Sequence, residues 1–316
     1  MKNEADIVEA FVRHTLHFAD RMIVSDSGSI DGTWDILQRL VDDEKLPVRL
    51  VKDTQFAHDH SGKMTALYKL SLGYNPDFVM PLDADEFIQA GSRTALRESF
   101  RKIPSAGVGQ CKWKNYLLSD IRELRISKRF ALRSRQSSYA KIVIRPPGPE
   151  DDDVVIEQGN HALYRFGLHV NKAWLDECSI AHFPIRSAQQ LGKKVIIGWL
   201  AIVAKFGGTQ REVGFHKHDL YEKVLSGAKL NESVLAEEAY WYASKRENRA
   251  GAMDFVRDPA VIFPGHAALS DQDKSPLETA QDLLSFVCRT WEAELSGGGG
   301  GGGGGAMRKA ALPPTR

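Results

Sequence analysis

Phe78-Val79-Met80-Pro81-Leu82-Asp83-Ala84-Asp85-Glu86-Phe87 is an apolar run that ends in three acids. A short apolar stretch bounded by turn formers reads as a buried strand, which puts the acids at its carboxyl end. Like charges gathered there repel one another, so a cation belongs among them. Hard divalent ions such as Mg²⁺ or Mn²⁺ take carboxylate oxygens and bridge to phosphate oxygens. A bare Asp-x-Asp is more often a solvated acidic turn; the preceding strand favours the ligand site.

Outward from this segment, strand and helix patterns alternate. Ile7, Val8, Phe11 and Val12 fall at helical spacing, which predicts a helix over 3–16 with Asn3 as its cap. Met22-Ile23-Val24 reads as a strand, 31–41 as a helix with Trp34, Ile36, Leu37 and Leu40 inward, Val48 to Val51 as a strand and 62–72 as a helix. The alternation predicts an α/β fold with a mainly parallel sheet and helices on both faces. After Gly91 the pattern turns irregular, with a helix over 94–100 and short strands at 108–113, 128–132, 142–145 and 154–156. Ser187-Ala188-Gln189-Gln190 has capping-box spacing and opens a helix to about Lys205. Further helical patterns lie at 218–225, 234–245 and 276–295, and nine glycines over 297–305 read as a flexible linker. The expected organisation is a domain over 1–205, a helical extension over 206–295 and a Gly-rich tail over 296–316.

Composition excludes more than it assigns. Lys and Arg total 42 against 41 Asp and Glu, so nothing pulls the chain as a whole toward nucleic acid or an anionic membrane. No apolar run approaches the roughly 18 residues of a membrane span. Cys111, Cys178 and Cys288 are widely separated, with neither zinc spacing nor an even count, so a reducing cytoplasm is expected.

A second motif, Ser25-Asp26-Ser27-Gly28-Ser29-Ile30-Asp31-Gly32-Thr33, lies where a strand ends and a helix begins. Ligands bind at that place in open parallel sheets. Its glycines permit a tight turn, and the helix N-terminus offers free N–H groups. Sheet geometry therefore predicts Asp26, Asp31, Asp83 and Asp85 around one cleft.

Lys2-Asn3-Glu4, the Asp26 to Thr33 motif and Leu82-Asp83-Ala84-Asp85-Glu86-Phe87, in this order and spacing, resemble the opening of glycosyltransferase family 2 domains. His182-Phe183-Pro184-Ile185-Arg186-Ser187 is similar to a His-Tyr-x-x-Arg-Ser element in one branch of that superfamily. The resemblance implies a GT-A fold, a nucleotide-diphosphate sugar donor, a hydroxyl acceptor such as a saccharide, and Mn²⁺ or Mg²⁺ on Asp83 and Asp85. It implies a nucleotide site formed by Asn3, Glu4, Asp26, Ser27, Gly28, Ser29, Asp31, Lys63 and Asp83, with Asp26 toward the base. His182 would join the metal, and Arg186, whose planar fork suits phosphate, would face the diphosphate. Family members usually invert the anomeric centre, which calls for a carboxylate base; Asp176 and Glu177 lie at a suitable distance in sequence, and Gly159-Asn160-His161 is an alternative acceptor element. Family domains also begin with an apolar strand before Lys-Asn-Glu, so the sheet is expected to lack that strand here. Rival readings are a nucleotidyltransferase, disfavoured because Asp26 to Thr33 carries no basic residue, and a non-catalytic carbohydrate- or nucleotide-sugar-binding module.

Overall fold

The computed structural model describes residues 1–53, 59–116, 140–206, 220–224 and 226. Helix α1 (Val8–Phe18) buries Val8, Phe11, Val12 and Phe18 and leads into strand β1 (Met22–Asp26). It starts later than the spacing predicts because Asn3 is engaged elsewhere. Asn3 sits at φ 55, and its Oδ1 accepts a hydrogen bond from the Ile30 N–H at 2.8 Å. Helix α2 (Thr33–Asp42) returns the chain so that β2 (Val48–Lys52) lies parallel to β1. Helix α3 (His60–Leu72) is capped by Asp59, which accepts from the Gly62 N–H at 3.2 Å.

The expected strand over 78–82 is a single antiparallel bridge, Val79 to Ile144. Pro81 has no N–H to give to a ladder, and pairing stops before it. The acids therefore occupy a turn, after which β3 (Glu86–Gln89) begins. Helix α4 (Arg93–Arg101) follows, then β4 (Val108–Asn115), β5 (Ala140–Ile144), β6 (Val154–Ile156), β7 (Leu163–Arg165), β8 (Leu168–His169), β9 (Lys172–His182) and α5 (Ala188–Phe206).

The described strands form three sheets instead of one mainly parallel sheet: β1-β2, β3-β9-β4-β5 and β6-β7-β8. Among them only β1 with β2 and β4 with β9 run parallel. Helix α1 closes the sheets together through Phe11, whose ring meets Phe87 of β3 edge-on at 6.2 Å, and Phe87 in turn meets Phe183 at 5.6 Å.

Two cysteines expected to be unpaired form a disulfide, Cys111 of β4 with Cys178 of β9. Sequence separation hid this pairing, and the cytoplasmic placement read from free thiols loses its basis. No described helix is long and apolar enough to cross a membrane. The expected strand at 128–132 and the helices at 234–245 and 276–295 lie outside the described residues; residues 220–224 are helical, within the expected 218–225.

Candidate active site

A cavity of about 860 Å³ lies between β1 and the 78–82 segment. Along β1 it borders Met22 to Ser25. Just past that edge Met1 makes a parallel-ladder pair of bonds, its amino group donating to the Ser25 carbonyl at 2.7 Å and its carbonyl accepting from the Ser27 N–H at 2.9 Å.

The loop after β1 is held by the N-terminal residues. Gly28 and Gly32 sit at φ 72 and 90, where a side chain would be strained, and they let the chain double back. Asp31 accepts from the Ala5 N–H at 3.2 Å and the Thr33 N–H at 3.0 Å, Thr33 Oγ1 accepts from the Glu4 N–H at 2.9 Å, and Ser29 Oγ accepts from the Asn3 N–H at 2.8 Å. The Asp26 carboxylate is buried and bonded to the Ser29 N–H and hydroxyl. Asp26 and Asp31 thus shape the loop from within and do not line the cavity, whereas Ser27, Lys63, Asp83 and Asp85 do. Lys63 donates to Ser27 Oγ at 3.2 Å and pairs with Asp53.

The three acids of the turn part company. Asp83, half-buried, takes Lys141 Nζ at 3.0 Å and His60 Nε2 at 2.9 Å. Burial alone would raise its carboxyl; Lys141 and His60 together hold it well below the usual range. Asp85, buried, takes Lys194 Nζ at 2.8 Å and stands 3.5 Å from His182 Nε2. Lys194 and then His182 outweigh burial and hold it low as well. Glu86, fully buried, accepts from Trp113 Nε1 at 2.8 Å and the Asp83 N–H at 3.1 Å and pairs with Lys141 at 2.7 Å. Burial lifts its carboxyl to about 8 despite Lys141. Among the described residues no three His, Cys, Asp or Glu side chains form a metal-holding group, because Asp83 and Asp85 each turn to a cation of the protein.

His182 ends β9 directly opposite Glu86 on one side and Asn115 on the other. Its Nδ1 lies 2.7 Å from Asn115 Oδ1, and its ring stacks on Trp113 with centroids 4.5 Å apart. Burial lowers its proton affinity, only partly countered by Asp85. A neutral imidazole and a carboxylate are ligand types that suit Mn²⁺, but among the described residues His182 and Asp85 are not joined by a third such side chain, and Asp85 is taken by Lys194.

Three sequence expectations fall elsewhere. Arg186 is 1% exposed and faces acids, not the cavity: Nε donates to Asp6 Oδ2 at 2.6 Å and Nη2 to Glu4 Oε2 at 2.5 Å. Its guanidinium joins the start of α5 to the N-terminal loop, because the burial it meets there requires counter-charges. Asp176 and Glu177 are exposed and outside the cavity lining. At ~3.3 Å per strand residue, Asp176 stands roughly 20 Å before His182 along β9. His161 stacks edge-on against Trp113 at 5.6 Å, so the 159–161 element does reach the ring that carries His182. Sequence reading missed Lys141, Lys194, Trp113 and Asn115. A lone lysine in the apolar run Ala140-Lys141-Ile142-Val143-Ile144 was a usable signal, since a buried lysine demands an acidic partner; Asn115 offered none.

Residues 1–149 match the family model described as Glycosyl transferase family 2. No curated protein sequence matches the chain. Solved structures similar to it include a mannosyltransferase from Pyrobaculum calidifontis in complex with GDP-Man and Mn²⁺, 21% identical at a TM-score of 0.30. That likeness spans 46% of this chain and only 42% of the mannosyltransferase's own length. TarS 1–349 from S. aureus in complex with UDP-GlcNAc is 10% identical at a TM-score of 0.35, with 78% of this chain and 80% of that one covered. At such scores the superpositions carry no argument about this chain's chemistry. The acidic turn and the loop after β1 both fall inside the matched segment, and over residues 1–149 the chain is similar to glycosyltransferase family 2.

Proposed function

We propose that the cavity binds a nucleotide-diphosphate sugar and passes the sugar to a hydroxyl acceptor such as a saccharide, with inversion, using Mn²⁺ or Mg²⁺. The supporting observation is that Asp83, Asp85, His182, Lys63 and Lys194 line one cavity beside the Ser27-Gly28-Ser29 turn. Asp83, Asp85 and His182 would hold the ion, which supplies neutralisation of the charge that grows on the departing diphosphate. Lys63 and Lys194, both in the cavity lining, add positive charge for that diphosphate. Asn3, Glu4, Asp26 and Asp31 serve by fixing the turn, whose Ser27 lines the cavity and would face the nucleotide. Residues 1–205 are taken as the catalytic unit. The half-buried Trp113 and His161 offer flat surfaces on the acceptor side, and neither Asp176 nor Glu177 reaches it.

Thermal unfolding with a panel of nucleoside diphosphates plus Mn²⁺ tests the reading, because a ligand at 100 times its Kd stabilises the fold by about 2.7 kcal/mol. One nucleoside diphosphate should raise Tm with Mn²⁺ and lose the effect in chelator. No shift with any of them rejects the reading; binding without turnover of the matching nucleotide sugar identifies a non-catalytic module.

A further inference from the structure

Met1 and β1 make one step of a parallel ladder. The Met1 amino group donates to the Ser25 carbonyl at 2.7 Å and the Ser27 N–H donates to the Met1 carbonyl at 2.9 Å, which pairs Met1 with Asp26. β1 gives its even positions to β2: the Met22 N–H donates to the Pro47 carbonyl at 3.0 Å, and the Asp26 carbonyl accepts from the Asp53 N–H at 2.8 Å. Its odd positions therefore face the opposite edge. There the Ile23 carbonyl and the Ser25 N–H are the next pair of groups along from Met1.

Across the cavity the 78–82 segment has an edge of its own. Val79 turns both backbone groups to Ile144, at 2.8 Å each, so those of Phe78 and Met80 point away from β5. Both residues line the cavity. Between the two edges it runs beside Met22 to Ser25, roughly 13 Å of strand at ~3.3 Å per residue. Phe11 and Phe18 of α1 and Met64 and Leu67 of α3 line this part, whereas Asp83, Asp85 and Lys194 belong to the polar end.

We infer that the apolar part of the cavity is a slot for one further β-strand, about four apolar residues lying parallel to β1 and joined in line to Met1. The Met1 ladder step sets its direction and register, so the occupant is polypeptide and not a small apolar ligand. The second residue ahead of Met1 gives its N–H to the Ile23 carbonyl and accepts from the Ser25 N–H; its neighbours turn theirs toward Phe78 and Met80. A parallel strand covered by helices is apolar throughout, because neither set of alternating side chains reaches water. A peptide bond at the Met1 nitrogen continues the ladder without a loop, which favours this source over a second copy of the chain. The nucleotide reading concerns the polar end of the cavity, and the slot stands or falls without it.

Hydrogen exchange of the chain as it stands, and thermal unfolding of chains with a tetrapeptide joined ahead of Met1, test this. In the chain as it stands the Ser25 amide should exchange much faster than those of Val24 and Asp26, which β2 holds. Adding Ile-Val-Ile-Val should slow Ser25 exchange at least ~10-fold and raise Tm by more than about 5 °C. Ile-Val-Pro-Val, which lacks the N–H for Ile23, and Lys-Asp-Lys-Asp should each forfeit most of that gain. A Ser25 amide already as protected as Val24 overturns the inference without any extension, so a misfolded extended chain does not shield it. No gain from Ile-Val-Ile-Val, or an equal gain from either control, also overturns it. A gain from the free acetylated peptide with none from the joined one overturns the in-line source and assigns the slot to a separate chain.

Discussion

Replacing Arg186 by Met separates a structural guanidinium from a phosphate ligand. Arg186 is buried against Asp6, at 2.6 and 2.9 Å, and Glu4, at 2.5 Å, and Nη1 also donates to the Phe183 carbonyl at 3.1 Å. Methionine fills much of the volume but supplies no donor. Two carboxylates would then share a site without a counter-charge, a loss worth about 3–5 kcal/mol for a buried pair broken on one side. Burial already raises Glu4 to about 7 even with Arg186 beside it. In the variant that carboxyl rises further and takes up a proton near neutrality, so the loss falls at the low end, about 3 kcal/mol, and shrinks as pH drops from 7.5 toward 5. Urea unfolding at several pH values, with nucleoside diphosphate binding measured beside it, reads this out. A stability change under about 1 kcal/mol together with lost nucleotide binding would refute the reasoning and return Arg186 to the phosphate.

His14 provides a pH signature of the fold. Its Nε2 lies 2.7 Å from the Ile88 carbonyl, and burial depresses it to about 4. A base depressed on folding contributes stability that is complete above its unfolded value near 6.5 and is lost as pH falls through 4, up to about 3 kcal/mol in all. His14→Gln, which retains a donor for Ile88, should flatten the chemical-unfolding stability curve between pH 6.5 and 4; an unchanged slope in that variant contradicts the assignment. Asp85→Ala removes the carboxylate shared by Lys194 and His182. Sugar transfer or donor hydrolysis should fall at least ~100-fold, about 2.7 kcal/mol of barrier; full activity of that variant, or of wild type in chelator, rejects the metal role.

What the sequence determined by itself is what depends on neighbours along the chain. The apolar stretches at 22–24 and 48–51, the intervening helix, the Ser187 cap that accepts from the Gln190 N–H at 3.1 Å, and the turn carrying Asp83 and Asp85 all follow from spacing and local chemistry. Motif order was enough to point to the likeness to glycosyltransferase family 2 that the family model finds over residues 1–149. The 78–82 segment shows the limit even locally: apolar content pointed to a strand, but Pro81 and an antiparallel bridge to Ile144 left it extended and almost unpaired. Everything else turned on contacts between distant positions. Arg186 met Glu4 and Asp6 instead of a phosphate, Cys111 met Cys178, Lys141 was drawn between Asp83 and Glu86, and Asp176 and Glu177 stayed far up β9. A one-dimensional spacing says which face of an element a residue occupies, while the partner across from it is set by register, and here a bulge between Gln110 and Lys112 moves that register and delivers Asn115 to His182.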